Sequence, residues 1–230
     1  MEITPLAWDS SFFGLRIGKV LLISEDDREE LIRMKGQLET RYDLIYVFSD
    51  KDFSFPSPSI RLVDKKVSYR KMLDGTDAYH TAVKEWLSEE TTPELVALAL
   101  ESGLYSRFRL DSRFPAGSFE RLYTRWIEQS VSHALATNVF CYFSKDMPIG
   151  LVTLDVRKDL GSIGLVAVNR HFQHKHIGSS LLGHVCAYAY QQGVRSMTVP
   201  TQYSNRPACS FYEKMGFQPC SIENVWHWWL

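Results

Sequence analysis

The feature that most constrains this chain is residues 163–182, IGLVAVNRHFQHKHIGSSLL. Residues 163–168 form an apolar run with β-branched members. Residues 169–176 are basic and rich in histidine, and Gly178, Ser179 and Ser180 then lead into an apolar pattern with helical spacing. A strand that passes through such a turn into a helix leaves the first N–H groups of the helix unpaired, beside the positive end of its dipole. That arrangement is a backbone anion site, and it predicts a phosphate-bearing ligand.

The flanking sequence predicts an α/β chain. Asp9, Ser10 and Ser11 offer turn chemistry in the opening segment, 17–23 and 44–48 read as strands, and 25–40 has helical spacing between them. Residues 60–72 alternate as a strand does. The first part is therefore β-α-β-β, and the polar seam at Asp74-Gly75-Thr76-Asp77 is the expected boundary between a small α/β domain, 1–77, and a second one, 78–230. Beyond it, 81–86 is a candidate strand, and Thr92-Pro93-Glu94 is a helix start. Residues 106–113, SRFRLDSR, read as a loop. Residues 118–132 carry Phe119, Leu122, Tyr123, Trp126 and Ile127 on one helical face. Two strands, 138–144 and 149–156, flank a short turn, and the strand of the anion site follows. Its helix ends at Gly193, 196–202 is a strand, Asn205 caps a short helix that ends at Gly216, and 225–230 is the last strand.

Composition narrows the function. A formal net charge of −1 lacks the basic footprint of a nucleic-acid binder. Cys141, Cys186, Cys209 and Cys220 contain no C-x-x-C pair and read as reduced, buried thiols. No stretch reaches the roughly 20 apolar residues of a membrane span, so a cytoplasmic protein without membrane partners is expected.

A second motif stands downstream: Asn205-Arg206-Pro207-Ala208, then Phe211-Tyr212-Glu213-Lys214-Met215-Gly216-Phe217. With the anion site, it resembles the acetyl-CoA-binding core of the GCN5-related N-acetyltransferase (GNAT) superfamily. In that family a turn of the form Q/R-x-x-G-x-G/A holds the CoA pyrophosphate on backbone amides. The matching residues are Gln173, His174, Lys175, His176, Ile177 and Gly178, followed by Ser179, and His176 replaces the first glycine. The resemblance implies a mixed, mostly antiparallel sheet flanked by helices, with 78–230 as the catalytic domain behind the smaller N-terminal one. It implies acetyl-CoA as cosubstrate, and main-chain pairing of Val166 and Val168 with the pantetheine arm as an added strand would pair.

Asn205 and Tyr212, two helical turns apart, face one way. In that setting Tyr212 is the candidate general acid for the departing thiolate. Asn205 is either a pantetheine ligand or only a helix cap. Arg170, Lys175 and the histidines His171, His174 and His176 make a basic rim suited to phosphates. A metal would need three or four ligands, no cysteine pair or carboxylate cluster completes such a set, and none is expected. Glu101, Asp111, Glu128 and Asp155 are unranked candidates for a base.

PLAWDSSFFG, SRFRLDSRF and FERLYTRWIEQSV resemble the enzymes that acetylate the 4-amino group of dTDP-linked 4-amino-4,6-dideoxygalactose. That resemblance implies a nucleotide-sugar acceptor, Arg107 and Arg109 as its phosphate or base contacts, direct attack in a ternary complex, and a homodimer. Acetylation of a protein N-terminus or other amine, and a non-catalytic CoA-binding fold, stay open as alternatives.

Overall fold

The computed structural model describes residues 1–230 and contains one ten-stranded sheet. Its first five strands are β1 (Thr4–Pro5), β2 (Ile17–Leu21), β3 (Leu44–Ser49), β4 (Ile60–Met72) and β5 (Val83–Glu85). The others are β6 (Asn138–Ser144), β7 (Met147–Arg157), β8 (Leu160–Val168), β9 (Ser196–Gln202) and β10 (Gln218–Trp229). Their order across the sheet is β1-β2-β3-β10-β4-β9-β8-β7-β6-β5. Only β2–β3 and β8–β9 are parallel pairs, so the sheet is mixed and mostly antiparallel. The eight helices are α1 (Ala7–Phe13), α2 (Glu25–Arg33), α3 (Lys35–Leu38), α4 (Pro93–Ser102), α5 (Arg107–Leu110), α6 (Ser118–Val131), α7 (Ile177–Gln191) and α8 (Arg206–Lys214).

Local chemistry explains most boundaries. Thr92 caps α4 by accepting from the Leu95 N–H, with Pro93 in the first turn. Lys145 and Asp146, both at positive φ, make the two-residue turn that suits the twist of a β6–β7 hairpin. Alternate residues of β6 to β8 face opposite cores. Phe140, Val152, Leu154 and Ile163 pack under α7 with Leu181, Leu182 and Val185. Val139, Cys141, Leu151 and Leu165 pack against Leu95, Leu98 and Ile127 of α4 and α6. No helix is long and apolar enough to cross a membrane.

Four expectations are corrected. The turn expected at Asp9 is helix α1, because Phe13 is buried against Phe108 and Phe114, at ring distances of 5.5 and 4.9 Å. The helix expected over 25–40 breaks at Met34 into α2 and α3. Residues 106–113 are not all loop: Ser106 caps α5 by accepting from the Phe108 N–H, and Phe108 packs into the core with Phe13 and Trp126. The last strand begins at Gln218, seven residues earlier than the aromatic run suggested.

The seam at 74–77 does not divide the sheet. β10 pairs with β3 on one side and β4 on the other, both from the first 77 residues.

Candidate active site

The site begins with a defect in strand pairing. On β7 and β8, Val152 faces Val166 but Leu154 faces Ile163, so Gly164 and Leu165 together oppose Thr153. This is a β-bulge. Thr153 Oγ1 accepts the Leu165 N–H at 2.8 Å, so the irregular strand leaves that buried donor satisfied. On its other edge β8 pairs with β9 only over Leu160–Ser162, against Ser196–Thr198. β9 meanwhile continues along β4 as far as Gln202. The two parallel strands therefore part in a wedge, with the β9-facing edge of 163–168 open.

At the end of β8, Gln173 donates from Nε2 to the Val168 carbonyl at 3.2 Å. Gln173, His174, Lys175 and His176 are exposed. His174 and His176 both adopt φ near +60°. The first bond of α7 is Ser180 N–H to the His176 carbonyl, so the amides of Ile177, Gly178 and Ser179 precede the hydrogen-bonded ladder. Gly178 lies against α8: a Cβ there would sit 3.2 Å from Phe211 Cζ. The two sequence motifs thus meet in space.

A cavity of about 440 Å³ occupies the wedge. Gly164, Leu165 and Val166 line it from β8, and Asn205, Phe211 and Tyr212 from the α8 side. Asn205 Oδ1 caps α8 by accepting from the Ala208 N–H at 3.2 Å, which leaves its amide NH₂ for the cavity. The cap and the cavity wall are compatible roles. Tyr212 is 4 % exposed, with its ring packed near Tyr69 and Phe217. Tyr69 is itself held by a 3.0 Å hydrogen bond to Glu213. Burial raises the Tyr212 phenol well above its ordinary value, so it is protonated at neutral pH.

The rest of the lining includes residues from elements remote in sequence: Phe48, Asp64, Lys66, Arg107, Phe108 and Trp126. Arg107 stacks over Phe108 and Tyr46, at 4.6 and 4.9 Å from the ring centres. Arg109 is exposed and outside the cavity, with Nη1 donating to the Leu104 carbonyl at 2.8 Å. Val168 and residues 173–179 lie beyond the cavity lining, at the α7 end of β8.

None of the four carboxylates considered as bases lines this cavity. Glu128 faces Arg125 at 3.7 Å, and Asp155 bonds Arg157 at 2.8 Å. Asp111 is locked by His227, Arg113 and Trp229. Asp64, which sequence reasoning missed, is the carboxylate in the cavity. Inside RLVDKKV it looks like any solvated strand residue. No three His, Cys, Asp or Glu side chains converge as a metal site would require.

Comparison with known proteins agrees with this architecture. Residues 82–217 match the model of the acetyltransferase (GNAT) family. The spore coat polysaccharide biosynthesis protein SpsD of Bacillus subtilis is 26% identical over 138 residues, 60% of this chain. The match spans 47% of that protein's length, so the chain corresponds to about half of it. Among solved structures, a functionally unknown conserved protein from Staphylococcus epidermidis superposes with a TM-score of 0.63 at 10% identity, covering 99% of this chain and 91% of its own. A GCN5-related N-acetyltransferase from Sphaerobacter thermophilus gives 0.55 at 14% identity, covering 92% and 72%. At these identities the structural matches speak to the fold.

Proposed function

The chain belongs to the acetyltransferase (GNAT) family, and from that premise we propose that it N-acetylates an amino sugar carried on a nucleotide, with acetyl-CoA as donor. The observation that carries the reading is one cavity lined together by the open edge of β8, by Asn205 and Tyr212, and by Arg107. The similarity to a polysaccharide-biosynthesis protein supports a sugar acceptor. The sequence resemblance narrows it to the 4-amino group of a dTDP-linked amino-dideoxy sugar.

In this reading the pantetheine arm lies along 163–168, accepting and donating main-chain hydrogen bonds at Val166 and Val168 as a further strand would. The Asn205 amide adds a side-chain contact. The pyrophosphate sits on the amides of the 173–179 turn and the start of α7, with the turn's basic side chains around it. The acceptor enters on the Arg107 side. Arg107, which faces the cavity as Arg109 does not, meets its phosphates through the guanidinium fork.

The amine attacks the thioester carbonyl directly, and Tyr212 serves the leaving sulfur. A phenol is a weaker acid than a thiol, and burial widens that difference. Full proton transfer from Tyr212 is therefore not downhill. Tyr212 first donates a hydrogen bond that strengthens as charge builds on sulfur, and its proton passes as the C–S bond breaks because the acidic N–H of the adduct restores the phenol.

Tyr212→Phe tests the assignment: turnover falls about 10²-fold or more, while acetyl-CoA binding measured by calorimetry is kept. Unchanged turnover removes Tyr212 from the mechanism. The acceptor is tested with a panel of nucleotide-linked amino sugars and peptide amines, following free thiol release from acetyl-CoA. Activity on peptides alone overturns the sugar assignment.

A further inference from the structure

We propose that Asp64 receives the acceptor amine: its carboxylate pairs with the incoming ammonium and takes the proton that frees the nucleophile. This rests on the acetyltransferase reading above and adds to it the base of the reaction. Three features of the fold place the residue there.

The first is register. Phe48 of β3, Val225 of β10 and Asp64 of β4 are direct cross-strand partners, so their side chains share one face. Phe48 and Asp64 both line the cavity that holds Tyr212. The second is a bulge: Val225 faces Asp64 but Trp226 faces Leu62, leaving Val63 as the extra residue of β4. Bulges beside active sites re-aim side chains. The third is availability. Asp64 is half-buried yet belongs to no salt bridge, whereas neighbouring Lys65 and Lys66 are drawn to Asp52 and Glu223. A carboxylate left without a fixed cation inside a cavity is a seat for a mobile one.

The charges around it are mixed. Burial pushes the Asp64 carboxyl up to about 6, while Arg107 and Lys66 draw it down and Glu223 raises it. Tyr123 of α6 lines the same cavity and is near enough to feel the Asp64 charge. Asp64 is therefore ionised at neutral pH and protonated by mild acid.

The step balances as follows. Asp64 takes one proton from the ammonium, and the nitrogen lone pair forms the C–N bond. The C–S bond breaks with its electron pair on sulfur, which receives the Tyr212 proton. The second amine proton restores the phenol, and the proton on Asp64 passes to water. The products are the amide, free CoA and one proton.

The experiment compares wild type, Asp64→Asn and Asp64→Glu, using acetyl-CoA and whichever amine of the panel above wild type acetylates fastest. Wild-type kcat/KM is expected to rise with pH through about 6 and then level. In D64N, kcat/KM falls about 100-fold and that acid limb disappears, with acetyl-CoA affinity and thermal midpoint kept, and D64E recovers part of the rate. Wild-type rate and pH profile in D64N overturn the role of Asp64 and leave the acetyltransferase reading standing. A uniform loss at every pH, with a lowered thermal midpoint and no recovery in D64E, makes Asp64 structural and also overturns it. A wild-type protein that acetylates no amine of the panel overturns the acceptor assignment, and the proposal for Asp64 falls with it.

Discussion

His176 occupies a position whose φ of +60° favours glycine, and the family pattern has glycine there. An L-residue in the left-handed region costs on the order of 1 kcal/mol, so the turn holds strain that the packing around Gly178 and Phe211 must offset. A different histidine governs pH behaviour. His227 is fully buried and bonded to Asp111 at 2.7 Å. Burial, with help from nearby Arg107, pushes it down to about 4 against the pull of Asp111. Burial also opposes the charge on Asp111, but hydrogen bonds from His227, Arg113 and Trp229 prevail and hold it well below the usual carboxylate range. In the unfolded chain the imidazole titrates near 6.5. Between about 4 and 6.5 the unfolded state therefore binds a proton that the folded state refuses. The stability linked to His227 is complete above about 6.5 and is lost as pH falls toward 4. From pH 7 to 4.5 the His227 contribution is worth about 2–3 kcal/mol, while Asp64, raised to about 6, works in the opposite direction over the same range. The test is therefore the stability difference between wild type and His227→Gln from urea midpoints, which should shift against wild type by that amount as pH falls from about 7 to 4.5.

At the scale of elements, the wedge between β8 and β9 depends on the bulge at Gly164 and Leu165. The bulge survives because Thr153 supplies an acceptor where the ladder has none. Thr153→Val keeps the volume and removes the oxygen. The Leu165 N–H is then buried and unpaired, a loss of about 1–3 kcal/mol, and β8 loses the contact that fixes its bulge against β7. The denaturation midpoint should drop accordingly, and acetyl-CoA affinity should weaken with it. Equal affinity in T153V would mean that the wedge is held open by other contacts. The sequence carried this element in part. The apolar run of β8, the turn and the start of α7 are local patterns, readable from neighbours three or four residues apart. The bulge is a relation between two strands, and nothing in GLVAV alone announces it.

For the whole molecule, the placement of β10 decides the architecture. The C-terminal strand fills the gap between β3 and β4 and buries Trp226 and Trp228 against Val47, Leu22 and Leu38. Without it, two strands of the first 77 residues lose a partner and the aromatic core loses its centre. A chain ending at residue 217 is predicted to lack a cooperative unfolding transition. Residues 1–77 produced alone should give the poorly dispersed amide spectrum of an unfolded chain. A folded 1–77 fragment would show that the N-terminal part is an independent unit. The same insertion brings two lining residues of the cavity together, since Phe48 and Asp64 reach one row only through Val225.

The sequence by itself determined the Thr92 and Asn205 helix caps, the hairpin turn, the strand–turn–helix unit of β8 and α7, and the placing of Asn205 and Tyr212 on one short helix. Each is set by backbone and side-chain chemistry within a few residues. Only the tertiary structure decided that 74–77 is no break in the sheet, that Arg107 faces the cavity while Arg109 faces water, and that Asp64 lines the same cavity as Tyr212. The first and last of these depend on register between strands more than a hundred residues apart, and the second on how α5 docks against β4 and α6. Register follows from how whole faces fit and bury together, a property that no local window of sequence contains.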